Sequence, residues 1–164
     1  MKQSLYIETT IPSYLAARTS SNLIIAGRQA LTHEFWENER QKYKLYISAY
    51  VVRECSRGDS EVAKKRLQWI DGIALLEDTP DVGPLADIYI KLLSIQQKNR
   101  IDAMHLAICC ISNIDILLSW NCTHLGVDNM LRVQKYNKNN GLATPRMITP
   151  DALVDKYSEV DFYE

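Results

Sequence analysis

Leu5-Tyr6-Ile7-Glu8-Thr9-Thr10-Ile11-Pro12-Ser13-Tyr14-Leu15 is the stretch on which the fold turns. Leu5-Tyr6-Ile7 reads as a short buried strand that ends at Glu8, because a carboxylate is costly among apolar neighbours. Thr9 or Thr10 caps a short helix, and Pro12 falls near its first turn, where a missing N–H costs little. The apolar start is cut by Glu8 too early for a signal peptide, so the expected location is the cytoplasm.

Outward from this stretch, strands and helices alternate. The spacing predicts a long helix over Ser20 to Lys42, with Leu23, Ile24, Ala30, Leu31, Phe35 and Trp36 on a broad apolar side. Leu45-Tyr46-Ile47-Ser48 is a second strand. A helix begun by Val51, Val52 and Cys55 ends at Gly58, and another from Asp59-Ser60 stops at Gly72. Ile73 to Leu76 is a third strand and Ile114 to Ser119 a fourth. Helices are expected over Pro80 to Ser94, Ile101 to Ser112 and His124 to Asn139, the last ended by Gly141. Met147-Ile148 reads as an edge strand, and Thr149-Pro150-Asp151 starts a last short helix. This alternation argues for an α/β fold with a central parallel sheet of four to five strands flanked by helices. In such sheets functional side chains gather at the carboxyl ends of strands, where Glu8 and Asn121 fall.

At 164 residues the chain suits one domain over 1–164, with 149–164 as an acidic C-terminal helix and tail. The tail carries five acids and one base, leaving a mildly basic body in a chain of net charge −1. No apolar run approaches the roughly 18 residues of a membrane span. Cys55, Cys109, Cys110 and Cys122 form no C-x-x-C pair, so neither a zinc site nor a disulfide framework follows, and Cys109 and Cys110 read as small buried hydrophobes.

Three carboxylates sit where an apolar core would exclude them: Glu8 after the first strand, Glu54 one turn past Ala49-Tyr50-Val51-Val52, and Asp102 ahead of Ala103-Met104-His105-Leu106-Ala107-Ile108. Singly, each has a plain explanation. Glu8 suits a helix entry, Glu54 could pair with Arg53 or Arg57, and Asp102 with Arg100 or Lys98. Together they would repel, and a hard divalent cation with oxygen ligands removes that conflict.

The chain resembles the PIN-domain family, and within it a VapC-like toxin subgroup. The resemblance lies in five blocks in the family's order: Tyr6 to Leu15, Ile47 to Asp59, Asp102 to Ala107, Leu117-Leu118-Ser119-Trp120-Asn121-Cys122-Thr123-His124-Leu125, and Thr149-Pro150-Asp151-Ala152-Leu153. It implies a single PIN-like domain and a metal-dependent endoribonuclease that leaves a 5′-phosphate and a 3′-hydroxyl. Glu8, Glu54 and Asp102 match the acids that hold Mg²⁺ or Mn²⁺. Asn121 stands where many relatives carry a fourth acid and joins them as a catalytic position, while Thr9, His105 and Ser119 support the acids. The resemblance also makes an RNA substrate, a cognate antitoxin and a homodimer expected partners, with no membrane association.

Two departures set the terms. The first acid is Glu8 rather than Asp, one methylene longer, and the fourth is the amide Asn121, which coordinates through a carbonyl but adds no charge. That amide keeps open the alternative of a catalytically weak or inactive PIN-fold binding module. A Rossmann-like enzyme is disfavoured, since neither G-x-G-x-x-G nor G-x-x-x-x-G-K-[ST] occurs. His124 is a candidate phosphate contact at a helix start. Trp36 and Trp120 are more readily packed than stacked on bases, and Lys64-Lys65-Arg66 reads as a solvated helix face.

Overall fold

In a computed structural model the described residues are 1–121 and 127–154. Five parallel strands form one sheet: β1 (Ser4–Ile7), β2 (Lys44–Ile47), β3 (Ala74–Leu75), β4 (Ile116–Leu118) and β5 (Arg146–Ile148), in the order β3-β2-β1-β4-β5. Around it run α1 (Thr10–Ala16), α2 (Leu23–Glu34), α3 (Ala49–Cys55), α4 (Ser60–Ile70), α5 (Val82–Leu93), α6 (Arg100–Ile111) and α7 (Val127–Asn139). The α/β architecture expected from the alternation is the one observed, and both edge strands fall where the sequence put them.

β1 is the middle of the sheet. Its Leu5 stands opposite Leu45 of β2 on one side and Ile116 of β4 on the other. Leu5, Tyr6 and Ile7 are fully buried, as are Ile116 and Leu118, which is why these strands read as unbroken apolar runs. The chain leaves β1 for β2 on one side, and β4 arrives on the other, so a crevice opens at the carboxyl end of β1, at Glu8.

α6 is buried from Ala103 through Cys110. A helix buried over these eight residues is a core helix, and its first turn, with Asp102, is only partly buried. Cys109 and Cys110 lie in this core as expected. Cys55 is buried too, and burial pushes its thiol up to about 11, so it adds no charge beside Glu54. Gly58, Gly72 and Gly141, read as helix stops, all hold positive φ, where a side chain would be strained.

The single helix expected over Ser20 to Lys42 is instead three segments. Asn22 Oδ1 accepts from the amides of Ile24 and Ile25, so the helix starts at Leu23. After Glu34 the chain widens into a π turn over Phe35–Glu39 and tightens into a 3-10 turn over Arg40–Lys42. The π turn carries the consecutive Phe35 and Trp36 into the core. Leu23 and Ile24, expected on the apolar side, are 87% and 71% exposed at the outer end of α2. Trp36 packs edge-on against Trp69, the packing role expected of it. Lys64 and Lys65 are exposed on α4, while Arg66 is half-buried and donates to the carbonyl of Arg57.

Among the described residues no helix is long and apolar enough to cross a membrane. Cys122, His124 and the tail from residue 155 lie outside the described residues, as does the start of the helix expected from His124.

Candidate functional site

The crevice beyond β1 collects side chains from five parts of the fold. Glu8 closes β1, Thr9 and Thr10 open α1, Glu54 lies in the last turn of α3, Asp102 in the first turn of α6, and Asn121 follows β4. Together with Ser13 and Tyr14 they line one open pocket of about 260 Å³. A small void behind it is lined by Glu8, Asp102, His105, Ser119 and Asn121. Glu8, Glu54 and His105 present atoms within 4.8 Å of one another.

Glu8 is buried, yet its charge has local support. Its Oε2 accepts from the amide and hydroxyl of Thr10, at 3.0 and 2.5 Å, and from the hydroxyl of Ser119 at 2.8 Å. The Thr10 hydroxyl in turn accepts from the amide of Trp120, and the Ser119 hydroxyl from that of Asn121. The loop after β4 is thereby tied to the start of α1 through a single carboxylate oxygen.

Glu54 is gripped in the same way. Its Oε2 accepts from the hydroxyl of Thr9 at 2.5 Å and from Nε2 of His105 at 2.8 Å. Burial raises the Glu54 pKa, but the hydrogen bonds from His105 and Thr9 outweigh it and hold the carboxyl below its usual range. Thr9 occupies the N-cap of α1 yet makes no side-chain cap, its hydroxyl being spent on Glu54. The ion pairs suggested for Glu54 with Arg53 or Arg57 give way to His105, and Arg100 pairs with Asp87 rather than Asp102. Asp102 Oδ1 accepts from the side-chain amide of Asn121 at 3.1 Å.

Of the residues singled out from the sequence, Glu8, Glu54, Asp102 and Asn121 meet on the pocket wall, with Thr9, His105 and Ser119 bonded to its acids, while His124 lies outside the described residues. Sequence reasoning missed Thr10, Tyr6 and Ser48. Tyr6 OH lies 2.6 Å from Nδ1 of His105 and 2.6 Å from Oγ of Ser48, all three buried. Burial pushes the Tyr6 phenol well above its usual range, so it stays protonated. The available signal was a tyrosine inside a three-residue buried strand, whose hydroxyl must find a partner there. Trp120 donates its indole N–H to Thr32 and stands edge-on to Tyr14, with the Arg28 guanidinium over its ring; it is a wall of the fold.

The donor set suits a hard divalent cation. The known hydrogen bonds to Glu8 and Glu54 fall on Oε2 in both, leaving Oε1 of each for a cation, with Asp102 in the same pocket. Both nitrogens of His105 are already engaged.

No family model matches the sequence, and no curated protein matches it in sequence. Solved structures do resemble it. VapC20 of Mycobacterium tuberculosis, a toxin that cleaves the sarcin–ricin loop, superposes with a TM-score of 0.57 at 12% identity, over 73% of this chain and 92% of that one. A chain of VapBC2 from Rickettsia felis, solved bound to a DNA fragment from its promoter, superposes with a TM-score of 0.51 at 11% identity, over 90% of this chain and 98% of that one. With its one sheet of five parallel strands flanked by helices, the fold of this chain is a VapC-like PIN-domain fold.

Proposed function

We propose that this protein is a Mg²⁺- or Mn²⁺-dependent endoribonuclease, the toxin of a toxin–antitoxin pair, with Glu8, Glu54 and Asp102 as the metal-holding acids and Asn121 beside them. One observation carries the reading: three carboxylates from distant parts of the chain line one pocket at the carboxyl end of the central strand, each with a neighbour that fixes its orientation. Acids gathered in this way without a cation repel one another, and a structural role would not require it.

Glu8, Glu54 and Asp102 would hold a divalent ion, which would lower the pKa of bound water and stabilise charge on a phosphoryl oxygen. The chain's own part is positioning. Thr10 and Ser119 hold Glu8, Thr9 and His105 hold Glu54, and Asn121 holds Asp102. RNA as the substrate is supported by the likeness to the sarcin–ricin loop cleaving VapC20, and a cognate antitoxin by the likeness to VapBC2. A homodimer and a cytoplasmic location belong to the same reading. A second reading, a PIN-fold binding module without nuclease activity, is favoured by Asn121, which leaves the pocket one charge short of four acids.

The deciding experiment is cleavage of structured and unstructured RNA with Mn²⁺ or Mg²⁺, with and without EDTA, for wild type and Asp102→Asn. We expect metal-dependent cleavage, lost by roughly 100-fold or more in the variant, since loss of a ligand exceeds the 10–100-fold cost of removing a ligand's supporting bond. Circular dichroism should show the fold retained. Wild-type protein that binds RNA without cutting it would favour the binding module, and EDTA-resistant cleavage would refute metal dependence.

A further inference from the structure

The hydrogen-bonded chain behind Glu54 has a direction that its chemistry dictates. An ionised carboxylate only accepts, so the 2.8 Å contact to Glu54 requires a hydrogen on Nε2 of His105. In the neutral ring Nδ1 is then an acceptor, and its partner at 2.6 Å, the Tyr6 hydroxyl, is the donor. Tyr6 has one hydrogen to give, so its oxygen accepts from Ser48 at 2.6 Å. Ser48 is free for this because, although it is the N-cap residue of α3, its hydroxyl makes no cap bond. The order Ser48 → Tyr6 → His105 → Glu54 crosses from α3 to the central strand, to α6 and back to α3 within the buried core.

Building on the metal reading above, we infer that Tyr6, backed by Ser48, is a positioning residue: its bond to Nδ1 commits His105 to Glu54 and withholds the imidazole from the cation, so that the centre stays oxygen-only and selects hard ions over zinc. Imidazole is a good zinc ligand, and His105 is near enough to Glu8 and Glu54 to join them were its nitrogens not already spent. Without the Tyr6 hydroxyl the ring loses its anchor at Nδ1, can turn away from Glu54, and can offer a nitrogen to the pocket.

The test pairs nitrogen-15 spectra of the His105 ring in metal-free protein, above neutral pH, with calorimetric titration of Mn²⁺ and Zn²⁺. In wild type we expect a hydrogen on Nε2 and a hydrogen-bonded acceptor at Nδ1. In Tyr6→Phe the Nδ1 resonance should move to that of an unbonded ring nitrogen. Its Mn²⁺ affinity should fall roughly 10-fold, in the range for loss of a bond that supports a metal ligand. Zn²⁺ affinity should fall less or rise, so that the preference for Mn²⁺ shrinks; a merely structural loss would weaken both ions alike. Ser48→Ala, which leaves the Tyr6 donor in place, should keep the Nδ1 signal of wild type, and it carries the spectroscopic arm if Tyr6→Phe does not fold. A wild-type ring with its hydrogen on Nδ1, or an unchanged Mn²⁺-to-Zn²⁺ ratio in Tyr6→Phe, overturns the proposal. If wild type takes up no Mn²⁺ at all, the metal reading falls, and the claim of metal selectivity falls with it; the ring spectra then report separately whether Tyr6 directs His105.

Discussion

Glu8 and Glu54 are each held by one oxygen and open at the other, whereas Asp102 is held by an amide that could as readily have been an acid. Asn121→Asp tests that difference. In place of a 3.1 Å hydrogen bond to Asp102 the variant sets two carboxylates face to face, so without metal it should lose stability, by about 1–3 kcal/mol for a partly buried donor turned into a like charge. With saturating Mn²⁺ the added charge should tighten binding and retain or raise cleavage. A denaturation series with and without Mn²⁺ reads both signs, and equal stability of the two proteins in the absence of metal would place residue 121 away from Asp102. The acids themselves were legible in the sequence because a carboxylate beside Leu5-Tyr6-Ile7 or ahead of Ala103-Met104 has no cheap place in a core. Their supports were less so. Ser48 reads as the end of the second strand and Thr9 as a cap tied to the acids only by the resemblance, whereas in the fold both stand at N-cap positions with their hydroxyls turned to Tyr6 and Glu54.

At the level of elements, the strand starts are pinned by a clip at the end of the sheet opposite the pocket. The amide and hydroxyl of Ser4 both donate to Asp115 Oδ2 at 2.8 Å, the Asp115 amide returns a bond to the Ser4 hydroxyl, and the Asp115 carbonyl takes the amide of Arg146. The beginnings of β1, β4 and β5 are thus joined at one aspartate. The two bonds from Ser4 come first, and Arg146 adds to them, in holding the Asp115 carboxyl below its usual range. A carboxyl depressed on folding adds stability above its unfolded pKa and loses it as pH falls through the folded value. Asp115→Asn should therefore be less stable than wild type at neutral pH, and the gap should close on acidification below the ordinary aspartate range, with urea midpoints across pH as the measure. A gap that widened in acid would show the sign to be wrong. Strand positions were readable because each is a short apolar run, down to the edge strand ending at Ile148. The long helix was misjudged because periodicity over 20–42 sees the apolar residues but not the π turn that turns Phe35 and Trp36 inward and leaves Leu23 and Ile24 outside.

For the molecule as a whole, the cost of gathering acids at one edge should appear as a stability that depends on the cation. Mn²⁺ that binds the folded chain alone, at a hundredfold excess over its Kd, adds about 2.7 kcal/mol. For a chain of this size that is roughly a 5–10 °C rise in Tm. Differential scanning calorimetry across a Mn²⁺ series should show it in wild type and much less of it in Asp102→Asn; a flat Tm in wild type would mean no cation is held. The same architecture has a consequence in time. β1 has no neighbour in sequence to pair with: its partners are β2, some 40 residues on, and β4, more than 110 residues on. Closing loops of that length is slow, and the rewards come only after it. Glu8 is made early but cannot meet Ser119 until β4 has been made, so on the proposed reading a nascent chain has no complete centre with which to cut an RNA.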